Sequence, residues 1–204
     1  MQEPQKDRRY ADAIAKAWDD LKIRDSQSLA NSSGGYIQGG DLRIRHLNKE
    51  AILSLDSGEL KWSDGSEMEG DFKVVLLHYL QNADGKLDGQ WISYREFEGG
   101  NLYYSVFHGR AIIPLIKNFG DDPEALLKAG EKLAGKIVKR GDASLDFLFF
   151  PYLLVNVAVW KGDDEVPSSA NILFDSATRR ILPAEDLAHL AADLVHALLS
   201  TNVH

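Results

Sequence analysis

Cysteine is absent from this 204-residue sequence, which excludes disulfide bonds, thiolate metal ligands and a thiol nucleophile. An iron–sulfur cluster held by cysteines of this chain is excluded for the same reason. Cations are also scarce, because 23 Lys and Arg residues stand against 31 Asp and Glu residues and give a net charge of −8 at pH 7. Nucleic-acid binding needs a surplus of cations on some face of the protein. We therefore expect no nucleic-acid partner.

Long apolar segments are missing too. No window approaches the ~18 apolar residues of a membrane span, and the sequence begins without the apolar core of a signal peptide. The sequence therefore predicts a cytoplasmic protein without membrane association. It also lacks the phosphate-binding loop, the dinucleotide fingerprint, the zinc-protease motif and the nucleophile elbow, so the common enzyme motifs are absent.

The hydrophobic content of 44% is sufficient for a substantial core, and the length favours a single domain. Apolar residues at helical spacing predict an N-terminal helix within residues 1–23, covering Lys6 to Leu21. Residues 24–40 are rich in Ser, Gly and Asn, which predicts a flexible loop with one short strand at Tyr36-Ile37.

The remaining elements indicate an α+β fold, with an antiparallel or mixed sheet and helices packed against it. Alternating apolar residues predict an antiparallel meander of three strands over Asp41–Leu47, Ala51–Leu55 and Glu59–Trp62. Four further strands are predicted over Trp91–Phe97, Ala143–Phe150, Tyr152–Trp160 and Asn171–Asp175. Tyr152–Trp160 is so apolar that we expect it at the centre of the sheet. Helices are predicted over Glu69–Gln81, Ala111–Phe119, Pro123–Ala134 and Pro183–Leu199. The segment Tyr103–His108 is compatible with a helix or a strand, and we favour the helix.

Two segments imitate metal sites. Residues 82–89 imitate part of a calcium loop, but Leu80 and Trp91 would fall on two ligand positions and carry no side-chain oxygen to offer. His189, Asp193 and His196 share one face of the closing helix, opposite its leucine stripe, where solvated polar residues are usual. We predict no metal site.

Several separated motifs occur in a fixed order: L-L-H-Y-L at 76–80, W-I-S-Y-R-E-F at 91–97, F-H-G-R at 107–110, W-K-G-D-D-E-V-P-S-S-A-N-I-L-F-D-S-A at 160–177 and L-P-A-E-D at 182–186. With these motifs the chain resembles a "domain of unknown function" family of anaerobic bacteria and archaea. Some members carry an added iron–sulfur module and accompany corrinoid-dependent methyl-transfer proteins. The resemblance thus implies a link to corrinoid or other tetrapyrrole metabolism, and a methyltransferase or iron–sulfur protein as partner.

His78 lies among apolar neighbours, which predicts a buried imidazole with a hydrogen-bond partner. A satisfied core histidine is the simpler interpretation, and an axial ligand to a tetrapyrrole is the alternative that the resemblance favours. Arg95 and Arg110 are candidates for binding an anion, Arg110 because it precedes a predicted helix N-terminus. Internal ion pairs with Glu96, Asp163 or Asp175 are the structural alternative.

The acidic residues Asp163, Asp164 and Glu165, with Asp175 brought close by strand pairing, are candidates for cation binding or acid–base chemistry. Turn-forming residues on both sides favour an exposed hairpin tip instead.

Three hypotheses for function follow. The leading one is a small-molecule or cofactor-binding accessory protein, whose apolar pocket has Trp91, Tyr94, Phe107 and Trp160 as walls and Arg95, Arg110 and His78 as polar anchors. The second is an enzyme that uses Asp163, Glu165 or Asp175 with His78. The third is an acidic interaction module for a methyltransferase or iron–sulfur partner. The sequence does not indicate an oligomeric state.

Overall fold

The structure is a computed structural model that describes residues 4–202, and the side chains of residues 10–202. The fold is α+β, as the sequence predicts, and its strands form two antiparallel sheets. The chain divides into two compact units. The first takes in the chain up to Lys86 together with Phe150–Tyr152 and Arg180–Leu182, and the second takes in Leu87–Phe149, Leu153–Arg179 and the chain from Pro183 onward. That the whole chain is a single domain stays a prediction.

The first unit contains helices at its start and end with a four-stranded meander between them. Its elements are α1 (Pro4–Leu21), α2 (Ser26–Ser33), β1 (Tyr36–Gln38), β2 (Asp41–His46), β3 (Lys49–Ser54), β4 (Leu60–Trp62) and α3 (Gly70–Asn82). The strands pair in the order β1-β2-β3-β4. The predicted N-terminal helix and the predicted meander are thereby confirmed.

Helix α2 corrects the prediction of a flexible loop over residues 24–40. The side chain of Asp25 accepts a hydrogen bond from the Ser28 N–H at 2.7 Å and so caps the helix. Gly34 ends it in the left-handed conformation at φ 69°. Leu29 and Ala30 are buried, so apolar contacts hold a segment whose Ser and Asn content alone favours a loop.

Tyr79, on α3, ties three parts of the first unit together. Its hydroxyl donates to the Ser33 carbonyl at 2.7 Å and accepts from the Tyr152 N–H at 3.1 Å. Its ring lies 4.6 Å from that of Phe150. The side chain is fully buried, and burial raises the pKa of its hydroxyl, so it stays protonated and can donate.

The second unit surrounds a five-stranded sheet. Its elements are β5 (Trp91–Ser93), α4 (Gly100–Phe107), α5 (Ile113–Phe119), α6 (Pro123–Lys132), β6 (Lys136–Ile137), β7 (Ala143–Phe150), β8 (Leu153–Trp160), β9 (Ser169–Asp175), α7 (Thr178–Ile181) and α8 (Ala184–Thr201), of which β7 and α7 each end on residues of the first unit. The strands pair in the order β5-β9-β8-β7-β6, which confirms β8 as the central strand. The short elements β6 and α7 were not predicted.

One face of this sheet is entirely apolar. Alternate residues of β7, β8 and β9 are fully buried there: Leu145, Phe147, Val155, Val157, Ile172 and Phe174. Helix α6 approaches this face so closely that a Cβ on Gly130 would lie 2.6 Å from the Leu145 side chain. Burial of each such side chain contributes about 1.5–3 kcal/mol, so this face is the core of the unit.

Strand β5 is shorter than predicted. The predicted strand ran from Trp91 to Phe97, but β5 ends at Ser93 and a 3-10 turn follows over Tyr94–Glu96. The Glu96 carboxylate accepts from the Ser93 N–H at 2.6 Å and from the Ser93 hydroxyl at 2.9 Å. This Ser-x-x-Glu capping box turns the chain away from the sheet.

The segment from Gly100 to Phe119 is one continuous helical stretch. A π-helical turn over His108–Ile112 joins α4 to α5, with the Ile113 N–H bonded to the His108 carbonyl. Pro114 has no N–H for the Arg110 carbonyl and its ring crowds that carbonyl, which accounts for a widened turn at this point. Arg110 therefore does not precede a helix N-terminus, and that prediction is wrong.

None of the helices in the described residues combines the length and apolar character that a membrane crossing requires.

Replacing Tyr79 by Phe leaves the Ser33 carbonyl and the Tyr152 N–H without their partner in a buried site. Each buried unpaired group costs about 1–3 kcal/mol, so we expect Tyr79→Phe to lower the free energy of unfolding by about 2–3 kcal/mol. Urea unfolding measures this loss. Tyr36→Phe is the matched control, because the Tyr36 hydroxyl bonds to Glu50 at an exposed site and its loss should shift the midpoint far less. Equal shifts would contradict the role given to Tyr79.

Candidate functional site

The second unit contains a cavity of about 260 Å³ between one helical face and the start of β9. Three parts of the chain line it: the end of β5 with the turn that follows, the stretch from α4 to α5, and the first residues of β9. The lining residues are Ser93, Tyr94, Arg95, Tyr104, Phe107, His108, Ile112, Ile116, Ser169, Ala170 and Asn171. We call this space the Arg95 cavity.

Aromatic rings form its inner wall. The rings of Tyr94 and Phe107 are stacked with centroids 4.1 Å apart and planes 6° apart. The Tyr94 hydroxyl donates to the Ala184 carbonyl at 2.6 Å, and burial raises its pKa to about 12. Since this hydroxyl is protonated and already bonded, Tyr94 offers the cavity an apolar surface rather than an acid or a base.

Arg95 brings a cation to the cavity. Its guanidinium carbon lies 3.6 Å from the centroid of the Tyr104 ring, and the ring of His108 lies 5.6 Å from that of Tyr104. Among the side chains of residues 10–202, none forms an ion pair with Arg95. None of the described residues that line the cavity is acidic. The cavity therefore combines apolar walls with a cation that lacks an internal counter-ion.

The structure brings together some of the predicted site residues and separates others. Tyr94, Arg95 and Phe107 meet in the Arg95 cavity. Trp91 lies on β5 with the Arg140 guanidinium 5.1 Å from its ring, and Trp160 ends β8 with 38% of its surface exposed. Arg110 is exposed within the π-helical turn. These last three residues do not line the cavity.

His78 belongs to the first unit and is only partly buried on α3. Full burial at this position was a wrong prediction, because the helix directs Leu76, Leu77, Tyr79 and Leu80 into the core and leaves its other face partly accessible.

The acidic residues do not form one cluster. Asp163 and Glu165 lie in the exposed connection between β8 and β9, where Asp163 accepts hydrogen bonds from the N–H groups of Glu165 and Val166. The Val166 N–H, followed by that of Glu165, lowers the pKa of Asp163. Asp175 is at the opposite end of β9, about 20 Å from Ser169 at the strand rise of about 3.3 Å per residue. The expectation that strand pairing joins Asp175 to the others is therefore wrong.

Asp175 is 1% exposed and holds the loop before β5 in place. Its carboxylate accepts from the N–H groups of Asp88 at 2.9 Å, Gly89 at 2.7 Å and Ala177 at 2.9 Å. In the same loop Asp84 pairs with Arg180 at 3.0 Å, so the segment that imitates a calcium loop is a turn held by ordinary hydrogen bonds and an ion pair. Where the structure describes side chains, in residues 10–202, no group of three or more His, Asp or Glu residues is arranged to hold a metal ion.

The prediction missed most of the cavity. Tyr104, His108, Ile112 and Ile116 recur every four residues, a spacing that indicates one helical face and is visible in the sequence. The contribution of Ser169, Ala170 and Asn171 depends on strand pairing and leaves no local pattern.

The model of one protein family, described as a domain of unknown function (DUF3786), matches residues 25–197. The chain belongs to the DUF3786 family. No curated protein and no solved structure matches it. The matched range includes every residue that lines the Arg95 cavity, so the cavity lies wholly within the family's domain.

The first unit contains another cavity, of about 450 Å³, part of whose lining precedes the matched range. Its lining includes Trp18, Lys22 and Arg24. Both cations are already engaged, because Lys22 pairs with Asp19 and Arg24 donates to the carbonyls of Leu80 and Gln81 at 3.2 and 2.9 Å. Arg24 thus completes the C-terminus of α3, and the Arg95 cavity is the better candidate for a ligand.

Asp175→Asn tests whether this buried carboxylate is structural. An amide NH₂ would face N–H donors, and hydrogen bonds to a charged group contribute about 1.5–3 kcal/mol each, so we expect unfolding to become easier by about 2–3 kcal/mol. Urea unfolding is the measurement. Asp163→Asn, in the exposed connection, should leave the midpoint close to that of the unmodified chain. A stable Asp175→Asn variant would contradict the structural role.

Proposed function

We propose that this DUF3786 domain binds a small anionic molecule with an aromatic or apolar body in the Arg95 cavity. One observation carries the proposal: an aromatic-walled cavity contains an arginine that forms no ion pair with the described side chains, and none of the residues that line the cavity is acidic. Apolar walls with a few polar anchors are typical of small-molecule sites.

Arg95 suits the role of anchor. A guanidinium offers carboxylate or phosphate a planar fork of donors. Stacking on the Tyr104 ring at 3.6 Å uses one face of that plane and leaves its N–H edge for a ligand. The stack also limits side-chain motion, which lowers the entropy lost on binding.

The charge distribution supports an anionic ligand. The chain as a whole is acidic, with a net charge of −8, yet the cavity is lined by one arginine, one histidine and no acid. Arg95 is exposed at the cavity, and its positive charge attracts an anion to this side of an acidic protein.

The volume of the Arg95 cavity limits the size of the ligand. Pockets for drug-sized ligands span about 300–1,000 Å³, and the Arg95 cavity has about 260 Å³. A tetrapyrrole macrocycle is too large for it, so the tetrapyrrole hypothesis would need another site, such as the surface around His78.

Tetrapyrrole binding through His78 stays a prediction. Titration of the unmodified chain with cobalamin or haem should give a spectral change, and His78→Ala should remove that change. Docking of a methyltransferase or iron–sulfur protein also stays a prediction.

The probe for the Arg95 cavity is 3-phenylpropanoate, which joins an aromatic ring to a carboxylate. We expect calorimetric titration to detect binding to the unmodified chain, and Arg95→Gln to weaken it at least tenfold, because hydrogen bonds to charged groups contribute about 1.5–3 kcal/mol. Arg110→Gln is the matched control, since it removes the same charge outside the cavity.

The neutral amide 3-phenylpropanamide separates charge recognition from apolar binding, and we expect it to bind at least tenfold more weakly than the acid. Equal loss in Arg95→Gln and Arg110→Gln would show a general effect of charge, and would contradict the site. Absence of any binding by 3-phenylpropanoate would contradict the proposed function in this form.

A further inference from the structure

The first half of β9 lacks a neighbouring strand on one side. β5 pairs only with the second half of β9, its three residues Trp91–Ser93 facing Leu173–Asp175. On the other side, β8 pairs with β9 from Ser169 to Phe174. In the described part of the chain, residues 169–172 therefore have no strand opposite them on the β5 side.

The register shows which backbone groups face this open edge. The Ser176 N–H donates to the Gln90 carbonyl at 2.8 Å, one step beyond Trp91 and Asp175 in the same register. Hydrogen-bonded pairs alternate along an antiparallel ladder, so every second residue of β9 before Ser176 directs its N–H and C=O to the β5 side. Ala170 is one of these residues, and it also lines the Arg95 cavity.

We infer that the ligand of the Arg95 cavity carries a peptide-like amide that pairs with the backbone of Ala170 while its carboxylate binds Arg95. The Ala170 N–H then donates to the ligand carbonyl, and the ligand N–H donates to the Ala170 carbonyl, as in one step of strand addition. This inference rests on the proposed function and specifies its ligand as an N-acyl amino acid or the carboxyl-terminal residue of a peptide.

The cavity walls select the side chain of such a ligand. Tyr94, Phe107, Ile112 and Ile116 surround the space, which favours an aromatic or large aliphatic residue. The volume of about 260 Å³ admits one such residue with its acyl group. The side chain of Ala170 shares the face of Ile172 and Phe174 in the alternation of β9, so it does not project along the hydrogen-bonding direction of the open edge.

Three probes that differ in one group test the inference by calorimetry. N-acetyl-L-phenylalanine has the amide and the carboxylate, 3-phenylpropanoate lacks the amide, and N-acetyl-L-phenylalaninamide lacks the carboxylate. Because it forms two more hydrogen bonds to the backbone, N-acetyl-L-phenylalanine should bind about tenfold more tightly than 3-phenylpropanoate. N-acetyl-L-phenylalaninamide should bind at least tenfold more weakly than N-acetyl-L-phenylalanine, because it has no carboxylate for Arg95.

Ala170→Pro tests the backbone partner. Its missing N–H lies on the open side, where proline is tolerated in a strand, so the β8–β9 ladder is kept. We expect the variant to lose the tenfold preference for N-acetyl-L-phenylalanine and to keep its affinity for 3-phenylpropanoate. Ala170→Ser retains the N–H and should behave like the unmodified chain.

A change in the ligand gives the same test without any change in the protein. N-acetyl-N-methyl-L-phenylalanine cannot donate to the Ala170 carbonyl and should bind several-fold more weakly than its parent. A tetrapeptide with an acetylated amino terminus and a free carboxyl-terminal phenylalanine distinguishes the two kinds of ligand. Affinity equal to that of N-acetyl-L-phenylalanine indicates the carboxyl terminus of a peptide. Loss of affinity indicates a free N-acyl amino acid.

The inference is overturned if N-acetyl-L-phenylalanine and 3-phenylpropanoate bind equally, or if Ala170→Pro does not change their ratio. Those results leave the proposed function in place when Arg95→Gln still weakens both ligands. Failure of 3-phenylpropanoate to bind would instead remove the proposed function itself.

Discussion

The capping box between Ser93 and Glu96 determines the candidate site. The Glu96 carboxylate accepts hydrogen bonds from the N–H of Ser93 at 2.6 Å and from its hydroxyl at 2.9 Å. The bond from the Ser93 N–H is the main cause of the lowered pKa of Glu96. Because these bonds turn the chain after Ser93, β5 ends beside Leu173 and the first half of β9 stays uncovered. The same turn places Arg95 over Tyr104. A strand continued to Phe97 would have covered that edge and left Arg95 on the face of a sheet.

A second local constraint shapes the opposite wall. In a regular α-helix, a residue four positions further along lies about 40° past a full turn around the helix axis. Three such steps separate Tyr104 from Ile116, so the two residues would lie about 120° apart around the axis. The π-helical turn at His108–Ile112 takes up one extra residue, equivalent to about 100°. The turn therefore keeps Tyr104, His108 and Ile116 on one face. Pro114 thus contributes to the cavity although it does not line it.

The sequence was sufficient for most elements of the fold because their patterns are local. The meander of β1 to β4 and the central position of β8 follow from alternation, apolar content and turn residues. The misplaced boundaries also had local causes. Asp25 before Ser28 is an N-cap that the Ser and Gly content of residues 24–40 obscures, and the Ser-Tyr-Arg-Glu tetrapeptide is a capping box inside what alternation presents as one strand.

The candidate site was predictable only in part, since it joins distant segments. Tyr94, Arg95 and Phe107 were chosen for their chemistry, and the cavity contains all three. Ser169, Ala170 and Asn171 are placed beside them by the register of β9 against β5, which no local pattern encodes. Trp91 and Trp160 have the same aromatic character as Tyr94, but strand alternation and strand ends place them elsewhere.

The chain has a net charge of −8, yet three acidic residues that could pair with Arg95 are engaged elsewhere in the part of the chain that the structure describes. Asp175 accepts three backbone N–H groups at the far end of β9, and Asp163 accepts two within its own turn. Glu96, next to Arg95 in the sequence, is directed to Ser93, and Arg179 approaches it at 3.9 Å. A carboxylate that accepts hydrogen bonds from backbone amides stabilises its turn, and these bonds keep it in that turn. Glu96, Asp163 and Asp175 are thereby engaged elsewhere, and Arg95 is left as the cation on which the proposed carboxylate site depends.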